Sequence, residues 1–254
     1  MLLLNQVTKK FQDETKALDS IDLTIEKGEQ VILLGHNGSG KSTLLRMIGG
    51  LETITSGEIL LDGRSLSYAR QREMRKLREK MGHVFQKFNL IPTLSVFQNV
   101  LFGALGRNPL VVTALHPFAK KELREKTMVC LERVGLADLA VRRADQLSGG
   151  QQQRVAIARM LMQEPSVILA DEPIASLDPK AGIEVMDLLV GVAMENKMTL
   201  ICTLHQLDLA VSYGSRFVGL KNGELVLDEQ KAKHTVDSFA WLYGKQKELL
   251  QNVT

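Results

Sequence analysis

A run near the N-terminus has the residue types and spacing of a phosphate cradle: Gly35, His36, Asn37, Gly38, Ser39, Gly40, Lys41, Ser42 and Thr43. It satisfies G-x-x-x-x-G-K-[ST], the P-loop pattern. Glycines let backbone N–H groups curl around a phosphate with no Cβ in the way. A helix opening at Lys41 adds the partial positive charge of its N-terminus. Lys41 would then reach the β and γ phosphates of a nucleoside triphosphate, and the Ser42 hydroxyl would ligate Mg²⁺. A second stretch, Val167-Ile168-Leu169-Ala170-Asp171-Glu172, is an apolar run ending in two carboxylates. Asp171 is suited to hold the Mg²⁺ shell and Glu172 to polarise an attacking water. Taken alone, that second pattern also describes a strand followed by an acidic turn. A P-loop on the same chain gives the carboxylates a substrate.

Such chemistry needs strands that end at the reacting groups. Gln30–Leu34 is a short apolar run that stops at Gly35, consistent with a buried strand, and a helix is expected from Lys41 to about Gly49. Leu2–Val7, Leu18–Ile25, Gly57–Gly63 and Lys80–Phe85 read as further strands. The middle third changes character. From about Gln86 to Glu164 the patterns are helical, with Leu123, Thr127, Leu131 and Val134 near one face and Gly135 as a stop. Ser148-Gly149-Gly150 opens a helix through Met162, which Pro165 ends. Strand and helix then alternate again: Ser166–Ala170, Ala181–Glu195 and Met198–Thr203. Asn222-Gly223 between Arg216–Leu220 and Glu224–Leu227 is a strong hairpin signal. A terminal helix is expected over Val236–Leu250, holding Trp241, Leu242, Leu249 and Leu250.

Composition sets the outer limits. The chain has 254 residues, 44% apolar and 24% charged, enough for a substantial core without staples. The net charge of +3 argues against a nucleic-acid coat. The basic cluster Arg70, Arg72, Arg75, Lys76, Arg78 and Lys80 reads as a solvated helix face. Cys130 and Cys202 sit among apolar neighbours and imply reduced core thiols rather than a disulfide framework. The start MLLLNQVTKK lacks the features of a signal peptide, and no apolar run approaches the roughly 18 residues of a membrane span. Any membrane association is expected to come through a partner.

Leu147-Ser148-Gly149-Gly150-Gln151 resembles the LSGGQ signature of ABC-type ATPases, and it precedes Asp171-Glu172 as that family requires. The resemblance covers essentially the whole chain. It implies an α/β fold: a P-loop NTPase cassette of ABC type, with a mixed-sheet core, an N-terminal antiparallel β subdomain and an inserted α-helical subdomain. Residues 1–85 and 165–254 would form the RecA-like/β catalytic core, and 86–164 the inserted helical signature subdomain. It further implies a head-to-tail dimer in which Ser148, Gly149, Gly150 and Gln151 of one copy complete the ATP held by the P-loop of the other. Gln86 resembles the Q-loop glutamine, which senses Mg²⁺ and the attacking water. Asp178, in Ser176-Leu177-Asp178, resembles the D-loop that reaches across the dimer. His205 resembles the switch histidine that contacts the γ-phosphate. Phe11 stands where an aromatic stacks on adenine, a position many relatives fill with Tyr. Thr43 would add a hydroxyl on the α-phosphate side. ATP and Mg²⁺ are the implied ligands, and ATPase activity the implied reaction.

The implied partners are a second copy of the chain, transmembrane permease subunits and, through them, a periplasmic or extracellular solute-binding protein, with no nucleic acid. The chain would sit peripherally on the cytoplasmic face of the cell membrane. A permease coupling helix would dock near Gln86–Val100, against Phe88, Leu90, Ile91, Pro92 and Leu94. The stretches Asn89–Ile91, Val96–Val100, Leu105–Arg107, Asp171–Pro179 and Leu204–Ala210 are most similar to phosphonate-importer ATPases. Departures from that pattern are His36 in place of a proline, the sequence after Leu227, and the apolar insertion Val111–Ala119. Other readings are a cassette for another importer, for a lipoprotein or efflux system, a soluble ABC ATPase acting on nucleic acid, and a small-molecule P-loop kinase. The signature has no reason to exist in such a kinase.

Overall fold

The computed structural model describes residues 1–107, 119–231 and 235–243. In chain order the elements are β1 (Leu2–Lys10), β2 (Lys16–Ile25), β3 (Gln30–Leu34), α1 (Lys41–Ile48), β4 (Ser56–Leu61), β5 (Arg64–Ser65), α2 (Gln71–Arg78), β6 (Met81–Phe85), α3 (Val96–Leu101) and α4 (Lys121–Arg133). They continue with α5 (Gly149–Met162), β7 (Val167–Asp171), α6 (Pro179–Glu195), β8 (Thr199–Thr203), α7 (Leu207–Tyr213), β9 (Arg216–Lys221), β10 (Glu224–Gln230) and α8 (Val236–Phe239). Of the apolar insertion, residues 111–118 lie outside the described residues, as do Leu249 and Leu250. The described part of the expected terminal helix is α8 followed by a 3₁₀ turn, Ala240–Tyr243. The chain divides into two compact units, Met1–Met74 with Thr199–Thr254, and Arg75–Met198.

In the first unit, β2, β1, β4 and β5 form an antiparallel sheet. Leu4 lies opposite Leu23 on one side and Ile59 on the other, so apolar cross-strand pairs fix the register. The C-terminal half of β2 alternates buried and exposed, as a strand with one wet face does. A second ladder runs β10-β9-β3-β8, antiparallel at β10-β9 and parallel at β9-β3 and β3-β8. Val31–Leu34 and all of β8 are buried, the pattern of parallel strands covered on both faces. The Asn222-Gly223 hairpin forms as expected, with both residues at positive φ (52° and 83°).

Arg216 ties this unit together. Its guanidinium donates to Asp228 (Nε to Oδ1, 2.7 Å; Nη2 to Oδ2, 2.8 Å), to Glu29 Oε2 at 2.8 Å and to the Thr24 carbonyl at 2.8 Å. One planar fork thus joins β2, the turn before β3, and the β9–β10 hairpin. Its side chain is only 12% exposed, so truncation removes a largely buried cation that holds two carboxylates and a backbone carbonyl. Arg216→Ala is expected to cost about 2 kcal/mol and to lower Tm by roughly 4–8 °C. Calorimetry checks this; a shift under about 1 °C would show the fork adds nothing.

In the second unit, β6 and β7 pair in parallel from Met81↔Val167 to Phe85↔Asp171. Helices α3, α4 and α5 pack on one another. Helix α5 buries Val155, Ala156, Ile157, Ala158, Met160 and Met162, each large side chain contributing about 1.5–3 kcal/mol. It ends where Glu164 takes a left-handed conformation (φ 50°) just before Pro165. Gly135 (φ 70°) follows α4 as the expected stop. Helix α6 starts on Asp178 with Pro179 in its first turn. In the basic cluster, Arg70, Arg72, Arg75, Lys76 and Arg78 are exposed while Leu77 alone in α2 is buried, a solvated face on a thin apolar stripe. Both cysteines are free and buried, and burial pushes the Cys130 thiol up to about 11. No helix among the described residues is long and apolar enough to cross a membrane.

Candidate nucleotide site

The P-loop residues stand where a strand meets a helix. β3 ends at Leu34, Gly35–Gly40 form the loop, and α1 begins at Lys41. Gly35 has φ 144°, and a Cβ there would lie 2.2 Å from the Leu220 carbonyl oxygen, so only glycine lets β9 approach the loop this closely. The loop is braced from inside. Lys41 Nζ donates to the Gly35 carbonyl at 2.7 Å and the His36 carbonyl at 2.9 Å, with the residue only 5% exposed. His36 Nδ1 lies 2.6 Å from the Asn37 carbonyl, and Ser39 N–H donates to the His36 carbonyl at 3.2 Å. Asn37, Gly38 and Ser42 are exposed, Gly40 and Thr43 half-buried, and Ser39 fully buried with no partner for its Oγ among the described residues.

His205 belongs to the same edge of the same unit. β8 is the parallel neighbour of β3, with Thr203 opposite Leu33, so the segment carrying His205 leaves the sheet beside the P-loop. Ligands gather at the carboxyl ends of parallel strands for this reason. Phe11 lies in the turn after β1, 40% exposed, so it is no core residue. Lys9 Nζ sits 5.0 Å from the Phe11 ring centroid and is anchored to Glu52 Oε1 and the Thr53 carbonyl, both at 2.7 Å. A fixed cation backs this ring.

The second unit gathers the remaining residues. The Phe85↔Asp171 pair brings Gln86 and Glu172 to the ends of adjacent parallel strands. Asp171 and Glu172 are half-buried and Gln86 is exposed. Glu172 has φ 48°, a left-handed conformation that costs a non-glycine residue about 1 kcal/mol or more. Ser148 is the N-cap of α5. Its Oγ accepts from Gln151 N–H at 3.3 Å, and Gln151 Oε1 accepts from Ser148 N–H at 3.0 Å. This capping box occupies the Ser148 oxygen as acceptor and leaves its O–H able to turn toward an anion. Ser148 is exposed and Gly149, Gly150 and Gln151 half-buried. A Cβ on Gly149 would meet Leu177 Cδ2 at 3.3 Å and Phe88 Cζ at 3.8 Å, so the helix start is wedged between two loops. Asp178 caps its own helix, accepting from Ala181 N–H at 3.0 Å.

The ABC transporter family matches residues 18–175. The chain belongs to that family. The phosphonates import ATP-binding protein PhnC of Shouchella clausii is 48% identical over 245 residues, covering 96% of this chain and 92% of that protein. A phosphate-import ATP-binding protein PhnC of Mycolicibacterium smegmatis is 49% identical over 247 residues, covering 96% and 92%. Among solved ABC cassettes, a dimeric post-hydrolysis state bound to ADP and Pi superposes with TM-score 0.77 at 37% identity, covering 92% of this chain and 100% of that one. The ADP conformation of a second ABC cassette gives TM-score 0.82 at 26% identity, covering 97% and 99%. The fold is the P-loop NTPase cassette of ABC type, with its mixed-sheet core, antiparallel β sheet and helices.

Three contributors around the ABC motifs had no signal in the sequence. The Tyr243 hydroxyl accepts from Gly35 N–H at 3.2 Å. Burial pushes its phenol up, so it stays protonated at neutral pH. Lys9 backs Phe11. Arg159, midway along α5, donates to the carbonyls of Phe88 (2.9 Å) and Asn89. Tyr243 and Arg159 act across long stretches of chain, and Lys9, two residues from Phe11, is held there by Glu52 and Thr53 more than forty residues away, so no local spacing marks them. Below the loop after β6 lies a depression of about 430 Å³ lined by Lys87, Phe88, Leu90, Pro92, Asp145 and Gln152.

Proposed function

We propose that this chain is the ATP-hydrolysing subunit of an importer for a phosphonate or a closely related phosphorus oxyanion, working as a head-to-tail pair on the cytoplasmic face of the membrane. The observation that carries it is the exposed, capped start of α5 at Ser148-Gly149-Gly150 in a chain that already holds a P-loop. One phosphate cradle suits many nucleotide enzymes. A second glycine-led helix start, whose serine has an O–H to spare, suits the γ-phosphate of a nucleotide bound to another copy.

In this reading ATP lies along Gly35–Thr43, and Lys41 exchanges its two carbonyl partners for β and γ phosphate oxygens. Thr43 serves the α-phosphate side. Ser42, Gln86 and Asp171 are an all-oxygen donor set, which fits Mg²⁺. Bound there, Mg²⁺ would neutralise charge on the phosphates. Glu172 orients the attacking water, His205 steadies the γ-phosphate, and Asp178 reaches toward the second copy. Residues 86–164 are the inserted helical signature subdomain, and 1–85 with 165–254 the catalytic core. None of Phe88, Leu90, Ile91, Pro92 and Leu94 is buried. Phe88, Leu90 and Pro92 line the 430 Å³ depression, which supports a permease helix docking there.

Phe11 stacks on adenine, stiffened by Lys9. Phe11→Ala is expected to weaken ATP binding by about 1–3 kcal/mol, roughly fivefold to a hundredfold, while Phe11→Tyr stays within about a factor of two. A fluorescent-ATP titration reads both; an unchanged Kd in the alanine variant removes Phe11 from the site.

The solute is tested by co-purifying the chain with its permease, reconstituting both in liposomes with the cognate binding protein, and measuring ATPase rate against added solute. Stimulation by an alkylphosphonate is expected. Stimulation by inorganic phosphate alone favours the second reading, which the phosphate-import relative motivates. Response to neither ends both the phosphonate and the phosphate readings in favour of a different solute.

A further inference from the structure

The loop after β6 is held in a conformation its own residues do not favour. Phe88 (φ 24°) and Asn89 (φ 51°) are consecutive non-glycine residues at positive φ. Left-handed backbone costs such residues about 1–2 kcal/mol each, so something must hold them there. Helix α5 supplies it. Arg159 Nη2 donates to the Phe88 carbonyl at 2.9 Å, and Nη1 donates to the Asn89 carbonyl. Six residues earlier on the same helix, Gln153 Nε2 lies 3.5 Å from the Phe85 carbonyl, the last of β6. Between these anchors, Ser176 Oγ donates to the Gln86 carbonyl at 3.2 Å.

The choice of arginine has a physical reason. Two adjacent carbonyls a peptide apart match the two parallel N–H vectors of a guanidinium, and an ammonium cannot span them rigidly. Burial pulls the Arg159 guanidinium below its usual range. Among the described residues its side-chain hydrogen bonds go to these two carbonyls. A half-buried cation given to backbone oxygens of one loop is a costly way to stabilise a fold and an effective way to fix a loop. Arg159 also lies three turns along the helix that begins at Ser148, roughly 16 Å away at about 1.5 Å per residue. The helix start and the clamp on the loop therefore belong to one continuous helix.

We propose that Arg159 is a positioning residue that sets the backbone around Gln86, and thereby couples the start of α5 to the aim of the Gln86 side chain. This rests on the role given to Gln86 above. Arg159 touches no substrate in this proposal; it acts through Gln86.

The test uses the purified full-length chain and the variants Arg159→Lys, Gln86→Ala, the double variant, and Lys41→Ala as a null for activity. Arg159→Lys is expected to lower kcat about tenfold to a hundredfold with KM for ATP within about twofold, because the P-loop is untouched. The double variant is expected to match Gln86→Ala, since Arg159 has nothing left to aim. Additive losses in the double variant overturn the proposal. Hydrogen exchange gives a second, activity-independent readout. Amides of 86–90 should exchange at least about tenfold faster in Arg159→Lys while those of 151–162 keep their protection. Unchanged exchange at 86–90 overturns the clamp. If the wild-type chain turns over no faster than Lys41→Ala, the ATPase reading fails, and the exchange result alone decides whether Arg159 holds the loop.

Discussion

Replacing Glu172 with glutamine is expected to lower steady-state ATP hydrolysis at least about a hundredfold while leaving ATP bound. Glu172 follows the last residue of β7, beside Gln86 at the end of the paired strand β6, and is half-buried at positive φ. The amide has the same shape, so the strained backbone and the neighbouring strand pair persist. What disappears is a carboxylate able to draw a proton from water. Uncleaved ATP then continues to bridge the P-loop of one copy and the Ser148 helix start of the other. The variant should therefore run as a dimer on gel filtration in ATP and as a monomer without it. Phosphate release at the wild-type rate would take Glu172 out of its role. A variant that stays monomeric in saturating ATP would count against the shared site instead.

The second large effect belongs to Lys41. Its ammonium is almost completely buried and holds the carbonyl oxygens of Gly35 and His36. Lys41→Ala removes both this brace and the charge meant for the phosphates. Charge-assisted hydrogen bonds contribute about 1.5–3 kcal/mol each, so losing two should weaken ATP binding about a hundredfold or more, roughly 3 kcal/mol. The effect on the fold should be far smaller. The deleted ammonium also carried a desolvation cost, so Tm should move by no more than about 4 °C. Calorimetric titration with ATP and a thermal scan separate the two effects. Affinity within about threefold of wild type would mean the loop binds phosphate through backbone N–H groups alone.

These two effects differ in how they arise from the sequence. The P-loop is local: glycine spacing, a preceding apolar strand and a following helix are consecutive in the chain, and β3, the loop and α1 stand where that spacing predicts. The capped start of α5 is equally local, because Ser148 and Gln151 are three residues apart and satisfy one another. The hairpin at Asn222-Gly223 follows from two residues that tolerate positive φ. Helix ends at Gly135 and Pro165 likewise follow from backbone sterics.

The sequence by itself therefore marked most of the strands and helices and the two glycine-led helix starts, because each rests on contacts within a few residues, and those motifs pointed to the family. Tertiary structure alone decided that β8 runs beside β3, and hence that His205 leaves the sheet next to the P-loop. It alone decided that Asp171 pairs with Phe85, bringing Glu172 to Gln86. The same holds for Glu52 and Thr53 anchoring Lys9 behind Phe11, for Tyr243 on Gly35 and for Arg159 on the loop after β6. Strand order and side-chain reach across distant segments depend on which apolar faces bury together, and that choice is made by the whole core rather than by any short stretch of chain.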